Sequence, residues 1–366
     1  MKTPLGPSGR AWGLAALCAS LAFAGSTPSA ASAEPTANPV SIHTLVTEVL
    51  QKNPELAFYH AEIAAAKAGR KAADKWKNPE ITAELGSKRA WERGGGGVAG
   101  AGAVVTKSVG LEPREGYKNP TLYEADGYYI NAMGLPNPGI RLFKEEMREA
   151  VSSGVPVFGS VFASSIKDFV TVASNMEEIG ASAIELNLSC PHAKGYGMEM
   201  GIDPEMVHDI VREVKGSLKV PVFAKLTPNT HSLIEVGQAV ERAGGDGVVA
   251  INTVKAIAIS VEFRRPVLSN IYGGLSGPAV KPIGLRSVYD LYDNIDIPII
   301  GVGGIDDWRD AMEYIMAGAK AVQIGSAIGK KGMTVFSEIT SGMLRYMEHN
   351  DVREISDLVG VAHERK

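Results

Sequence analysis

Short apolar runs rich in β-branched residues alternate with amphipathic stretches of helix length from Ala103 onward. This alternation is typical of parallel strands joined by helices, because a strand covered on both faces is apolar throughout and needs a long crossover to reach its neighbour. Strands are predicted at residues 103–107, 156–161, 183–188, 221–226, 247–251, 297–301 and 321–324. Helices are predicted at residues 165–179, 204–215, 232–243, 285–292 and 308–317.

Polar and glycine residues gather after the carboxyl ends of these strands, which favours a (β/α)8 TIM barrel with its active site at that end. An open doubly wound sheet is the weaker alternative, because no Gly-x-Gly-x-x-Gly follows the first strand. The barrel needs an eighth strand to close. Residues 78–86 show partial alternation and are the candidate for strand one. In the competing interpretation, two unrelated genes have been joined near residue 100, and the barrel is incomplete.

The first 33 residues are typical of a secretory signal peptide. Lys2 and Arg10 precede an apolar run over residues 11–25, and Ala31-Ser32-Ala33 offers a small-x-small cleavage site. The run is shorter than the roughly 20 residues that a membrane-spanning helix needs. Export is therefore one prediction for the location of the chain.

Residues 34–99 are predicted as a helical segment. Phe58, Ala61, Ala65, Ala68 and Ala72 recur at spacings of three and four, which indicates an alanine-rich helix seam. With the Asn-Pro-Glu motifs at residues 53–55 and 78–80, residues 41–98 resemble the start of a TolC-type outer-membrane efflux protein. A generic amphipathic helix is the alternative. Four glycines at residues 94–97 disfavour regular structure and place a domain boundary near residue 100.

Charge and cysteine content exclude several kinds of protein. The formal net charge is -4, so no basic excess exists to bind a phosphate backbone, and nucleic acid is not an expected partner. Two cysteines cannot form a disulfide scaffold or a four-thiolate metal site. Because Cys18 lies in the predicted signal peptide, Cys190 is the remaining thiol.

Two glycine turns follow the last two predicted strands, at residues 301–305 and 324–327. Barrels commonly bind phosphate there through backbone N–H groups. A third glycine-rich stretch at residues 273–278 is predicted to be a loop over the same site, or simply a flexible connection.

Lysine and amide side chains end three other strands. Lys107, Lys225 and the pair Asn252-Thr253 are predicted to face the barrel mouth. A lysine there is costly to desolvate unless an anion or a carbonyl meets it, so a bound anionic ring is favoured over a solvated rim. Cys190 follows another strand on a polar loop, where the lack of an evident histidine–aspartate pair favours proton transfer over acyl transfer.

The ordered motifs resemble those of dihydroorotate dehydrogenase. They lie at residues 105–108, 112–116, 131–139, 187–191, 225–229, 252–253, 273–278 and 301–305. The resemblance runs from about residue 100 to the C-terminus and implies FMN in the barrel mouth. Cysteine at position 190 resembles the soluble class and implies a base that removes the C5 proton of dihydroorotate while a hydride passes from C6 to the flavin.

The resemblance also implies roles for individual residues. Substrate binding is expected from Lys107, Asn131, Met133, Gly134, Leu135, Asn187, Asn252 and Thr253. FMN binding is expected from Lys107, Ser108, Ser160, Asn187, Lys225, Ile251, Gly277, Gly303, Gly304, Gly325 and Ser326. The charge of Lys225 is expected to favour reduced anionic flavin. No metal site is expected.

Three features depart from the family pattern. The usual first strand is replaced, and Ser160 stands where asparagine is frequent. His192 also stands where many members have asparagine, and this substitution resembles the sequence of dihydropyrimidine dehydrogenase. Reduction of uracil or thymine is therefore an alternative activity, and an inactive fusion with an incomplete barrel is another. The family implies a cytoplasmic enzyme, in conflict with the signal peptide, and a homodimer or a heterotetramer. It also implies either fumarate as the direct electron acceptor or NAD, which is reached through an FAD and iron–sulfur subunit.

Overall fold

The structure is a computed structural model that describes residues 80–83, 100–188 and 198–363. The predicted signal peptide, the helix seam over residues 58–72, and the residues Cys190 and His192 lie outside the described residues. The signal peptide, the efflux-like segment and the boundary near residue 100 stay predictions.

Eight strands close a barrel in the order β1-β14-β13-β8-β7-β6-β5-β2. The barrel strands are β1 Glu80–Ala83, β2 Ala103–Val105, β5 Val157–Val161, β6 Ala183–Asn187, β7 Val222–Lys225, β8 Gly247–Ala250, β13 Ile299–Val302 and β14 Ala321–Ile324. The remaining strands are β3 Leu122–Ala125, β4 Tyr128–Asn131, β9 Val254–Ile257, β10 Ile259–Ser260, β11 Arg265–Pro266 and β12 Tyr272–Ser276. The predicted barrel is confirmed, and in the described residues β1 completes the ring of eight strands.

Helices surround the barrel. In the described residues they are α1 Ile140–Ser152, α2 Ile166–Ile179, α3 Met198–Gly201, α4 Pro204–Ser217, α5 Leu233–Arg242, α6 Lys281–Tyr292, α7 Trp308–Met316, α8 Ser326–Lys331 and α9 Val335–His349. Short 3-10 turns lie at Pro278–Val280, Gly332–Thr334, Ile355–Leu358 and Val361–His363. The predictions did not include α1, α3, α8 or α9. None of the helices in the described ranges has the length and apolar character needed to cross a membrane.

Local sequence explains where several helices begin. The Ser165 hydroxyl accepts a hydrogen bond from the Asp168 backbone at the start of α2. Asp203 caps α4, whose first residue is Pro204, a position where the missing N–H of proline has no cost. At α7, Asp307 and Asp310 form a reciprocal capping box.

Strand β1 closes the gap left by the missing family strand. Ile81 pairs with Ile324 of β14 on one side and with Val104 of β2 on the other, and both pairings are antiparallel. The neighbouring strands β2 and β14 run parallel to the rest of the barrel. The predicted recruitment of this segment is therefore correct, but its direction is opposite to that of a regular (β/α)8 barrel.

The barrel interior has an apolar part and a polar part. Alternate residues of the strands form one apolar cluster that includes Ala103, Phe158, Ala183, Ile300 and Ala321. Side chains two apart share a face of a strand, and on four of the strands the next inward position towards the carboxyl end is polar. These positions hold Ser160, Glu185, Lys225 and Gln323, all of which are buried. The apolar part thus closes the barrel below a polar mouth.

A second sheet, in the order β3-β4-β12-β9, stands on the loops at this mouth. Residues 273–276 belong to strand β12 and pair with β4 and β9. The prediction of a flexible glycine loop at residues 273–278 is wrong up to Ser276. Glycine is needed there because a side chain on Gly273 would lie 2.5 Å from Ile130 Cγ2.

Candidate active site

Three of the predicted residues meet where β2, β5 and β6 end. The Asn187 amide donates to Ser108 Oγ at 3.0 Å, and Ser108 Oγ lies 2.8 Å from Ser160 Oγ. The Ser160 backbone N–H donates to Thr106 Oγ1 at 3.0 Å, which fixes the two strands at this level. Lys107 is half-buried beside this chain of polar groups.

The ammonium group of Lys225 lies among polar side chains inside the barrel. Its Nζ is 3.2 Å from Gln323 Oε1 and 3.4 Å from Glu185 Oε1. The Gln323 amide also donates to Glu185 Oε2 at 2.7 Å. Glu185 and Gln323 are not among the residues predicted from the sequence. The signal was available, because each is the one polar residue in the middle of an otherwise apolar strand.

The residues after β8 are fixed by their own hydrogen bonds and by β7. The Asn252 N–H donates to the Leu226 carbonyl at 2.8 Å, and Asn252 Oδ1 accepts from the Thr253 N–H at 2.7 Å. Asn229 Nδ2 donates to the Thr253 carbonyl and to Thr227 Oγ1, each at 3.0 Å. Asn229 therefore holds the two strand ends in one arrangement, a role that the sequence analysis did not assign to it.

Asn131, at the end of β4, meets the same region from the second sheet. Its amide donates to the Gly274 carbonyl at 3.4 Å. A side chain on Gly274 would collide with Thr253 Oγ1. Asn131 and Thr253, far apart in the chain, therefore lie on either side of one glycine.

The predicted loop after Asn131 is organised by Asn137. Asn137 Nδ2 donates to the Leu135 carbonyl at 2.9 Å, and its Oδ1 accepts from the Gly139 N–H at 2.9 Å. The Met133 carbonyl accepts from the Tyr117 N–H at 3.0 Å. These bonds hold Leu135 in the left-handed region at φ 57°. Met133, Gly134 and Leu135 thus form a fixed turn.

The glycine turns after β12 and β13 are in contact. A side chain on Gly304, whose φ is 70°, would lie 2.8 Å from the Gly277 carbonyl oxygen. On the inner side, Ile251 N–H donates to the Val302 carbonyl at 2.9 Å, which places Ile251 beside Gly303. A Cβ on Gly325 would meet no atom within 4 Å, so space is open where β14 passes into Ser326.

Buried and charged groups support these turns from below. The Tyr314 hydroxyl donates to the Gly303 carbonyl at 2.7 Å, and burial raises the pKa of Tyr314 well above its ordinary value. Lys281 Nζ lies 2.7 Å from Asp310 Oδ1, and this bond raises the pKa of Lys281. Burial opposes ionisation of Asp310, but its bonds from Lys281 and from the Asp306 and Asp307 N–H groups lower its pKa overall.

In the described residues, no group of three or more histidine, cysteine, aspartate or glutamate side chains is arranged to hold a metal ion. The mouth instead presents amides, hydroxyls, the ammonium groups of Lys107 and Lys225, and backbone turns. These groups suit a planar heterocycle that carries carbonyls and a phosphate.

A family model described as dihydroorotate dehydrogenase matches residues 72–347. The chain belongs to the dihydroorotate dehydrogenase family. The match begins upstream of residue 100, so part of the segment that resembles an efflux protein falls inside it. The TolC-type resemblance gains no support from this match.

Several relatives carry the name dihydroorotate dehydrogenase B (NAD(+)), catalytic subunit. The chain is 54% identical to those of Pyrococcus furiosus and Thermoplasma acidophilum over 263 residues, which cover 72% of this chain and 87% of each relative. It is 48% identical to that of Methanocaldococcus jannaschii over 269 residues, with the same coverage of both chains. The names of these relatives specify the B type and say nothing of a cysteine class.

The fold is also similar to a solved dihydroorotate dehydrogenase structure. The crystal structure from Eimeria tenella in complex with ferulenol has a TM-score of 0.64 and 19% identity, and the match covers 73% of this chain and 80% of that one. At this identity the likeness supports the barrel fold alone.

Proposed function

We propose that this chain is an FMN-dependent enzyme that oxidises dihydroorotate to orotate in pyrimidine biosynthesis. The observation that carries the proposal is the meeting of Ser108, Ser160, Asn187 and Lys225 inside the barrel mouth of a dihydroorotate dehydrogenase family member. This is where a barrel binds its substrate. The names of the relatives support the same reaction.

The residues present fit FMN. Ser108, Ser160, Asn187 and Lys225 offer hydroxyl, amide and ammonium donors that match the carbonyls and nitrogens of a flavin ring. The contact between the turns at Gly277 and Gly304, and the open space at Gly325, provide close backbone approach for the phosphate end. We assign Ile251, Gly303 and Ser326 to the same binding surface.

FMN, when bound, supplies the two-electron acceptor for the reaction. The chain supplies substrate binding and proton transfer. Asn131, Asn252 and Thr253 bind the amide edges of the pyrimidine, helped by Asn187 and the turn at residues 133–135, and Lys107 binds both substrate and cofactor. The Sγ of Cys190 takes the C5 proton. A free thiol with a pKa near 8.5 needs only modest activation for this role at neutral pH.

Electrons leave the chain through a partner. With two cysteines, the sequence cannot ligate an iron–sulfur cluster by four thiolates. The relatives are named as catalytic subunits, which supports a separate electron-transfer subunit with FAD and an iron–sulfur centre. We propose a homodimer or a heterotetramer of the two subunits, located in the cytoplasm.

The first experiment is an absorbance spectrum of the purified full-length chain, followed by anaerobic addition of dihydroorotate. FMN absorption that bleaches with dihydroorotate supports the proposal, whereas bleaching by dihydrouracil instead would favour the alternative suggested by His192. A chain without flavin contradicts both.

The base is tested with Cys190→Ala, and Cys18→Ala is the matched control. Cys190→Ala should retain FMN and lose dihydroorotate oxidation at pH 7, while Cys18→Ala should keep both. Full activity in Cys190→Ala would show that the base is another group.

A further inference from the structure

Glu185 is a buried carboxylate in the centre of the barrel, for which the proposed reaction has no direct use. Its side chain is 1% exposed, and that of Lys225 is 8% exposed. It lies on β6 two residues before Asn187, so both side chains point into the barrel, with Asn187 nearer the mouth. A carboxylate in such a place is costly unless partners compensate it.

Two partners from other strands compensate Glu185. Lys225 of β7 is 3.4 Å from its Oε1, and Gln323 of β14 donates to its Oε2 at 2.7 Å. Gln323 also accepts from Lys225 Nζ at 3.2 Å. The three side chains close a triangle, so the position of the ammonium group is fixed from two sides.

Charge balance is the second consequence of this triangle. Lys225 is the cation that faces FMN in the proposed site, and Glu185 is an anion within ion-pair distance of it. The net field at the flavin is therefore that of a pair and not of a free cation. A lone cation would stabilise added negative charge more strongly, since Coulomb interactions are weakly screened in the interior.

We propose that Glu185 is a positioning residue which, together with Gln323, fixes Lys225 and offsets its charge, and so lowers the two-electron reduction potential of bound FMN. This inference rests on the proposed function, because it requires FMN at the barrel mouth. It assigns to Glu185 no contact with substrate or cofactor. Its effect is exerted through Lys225.

The test uses the full-length holoenzyme and compares wild type with Glu185→Gln, Lys225→Gln and the double variant. The potential is measured by spectroelectrochemical titration, and the dissociation constant of oxidised FMN by fluorescence titration of the apoprotein. Glu185→Gln should raise the potential. Equivalently, it should increase the affinity for reduced FMN, relative to the affinity for oxidised FMN, by roughly tenfold. In the Lys225→Gln background, Glu185→Gln should change the potential little, because the positive charge through which Glu185 acts is absent.

A second variant covers the case in which Glu185→Gln does not fold, since breaking a buried pair is strongly destabilising. Glu185→Asp keeps the carboxylate but withdraws it from Lys225 by one methylene, so it should raise the potential by less than Glu185→Gln does. Glu177→Gln is the matched control. Its carboxylate accepts from the Lys219 and Val220 N–H groups at the opposite end of β7, and its loss should not move the potential.

The outcomes separate this inference from the proposed function. Unchanged potentials in Glu185→Gln or, where that variant does not fold, in Glu185→Asp overturn the role of Glu185, even if FMN binds and dihydroorotate is oxidised. An equal shift with and without Lys225 also overturns it. A wild-type chain that binds no FMN overturns both proposals.

Discussion

The Tyr314 hydroxyl on α7 donates a hydrogen bond of 2.7 Å to the backbone carbonyl of Gly303, at the turn after β13. Gly303 has a φ of 128°, a conformation that residues with a side chain rarely adopt. The bond connects an outer helix to a turn proposed to bind the phosphate of FMN. The shape of the turn thus depends on a buried side chain outside the site.

Removing this hydroxyl should weaken both the fold and FMN binding. Tyr314→Phe leaves the Gly303 carbonyl without its buried donor, which costs about 1–3 kcal/mol. Urea unfolding should show this loss, and the dissociation constant of FMN should rise several-fold. Tyr346→Phe, on the outer helix α9, is the control and should leave FMN affinity unchanged. Wild-type affinity in Tyr314→Phe would show that the turn keeps its shape without the bond.

Two glycine substitutions should separate turn stability from cofactor binding. Gly304→Ala forces a side chain into a backbone with φ 70° and within 2.8 Å of the Gly277 carbonyl, so it should destabilise the fold by ~1–2 kcal/mol. Gly325→Ala has open space around its new methyl group and should keep the melting temperature. Because that space is proposed for the phosphate, Gly325→Ala should nevertheless bind FMN more weakly. Undiminished FMN binding by Gly325→Ala would place the phosphate elsewhere.

The ion pair between Lys281 and Asp310 should make stability depend on pH at both extremes. The pKa of Asp310 is lowered from its ordinary 3.8, so its contribution is present above that value and is lost as pH falls through the lowered pKa. The pKa of Lys281 is raised from 10.5, so its contribution is present below that value and is lost as pH rises through the raised pKa.

Asp310→Asn should remove the acid part of this dependence. We expect a loss of about 1 kcal/mol at pH 7, from the ion pair and from the cap of α7. The difference between variant and wild type in urea unfolding should shrink near pH 3. Asp290→Asn removes an exposed pair with Arg286 and should have little effect at either pH. An undiminished difference at low pH would contradict the assignment.

Strand β1 can be tested by truncation. A chain that begins at residue 101 lacks Glu80–Ala83 and leaves the edges of β2 and β14 unpaired, which favours aggregation. A chain that begins at residue 72 keeps the strand. Size-exclusion chromatography and thermal unfolding should show a stable, flavin-binding protein for the second chain alone. Equal behaviour of the two chains would show that the barrel does not need β1.

The sequence predicted the barrel and much of its mouth because both depend on local patterns. Strand β14 was predicted to the residue, and α7 with an error of one residue at its end, since apolar periodicity and the cap at Asp307 are encoded locally. Strand β12 was missed, because its two glycines are typical of a loop. It forms because it pairs with β4 and β9, and close packing against Thr253 and Ile130 leaves room there for glycine alone.

What the sequence by itself determined is the succession of strands and helices and the polar character of the strand ends, since periodicity and turn residues act between near neighbours in the chain. Only the tertiary structure decided the antiparallel direction of β1 and the triangle of Glu185, Lys225 and Gln323. These features join residues that are distant in the chain, and barrel closure alone brings them together. A charged residue in an apolar strand indicates that another side chain compensates its charge, but only the fold identifies that side chain.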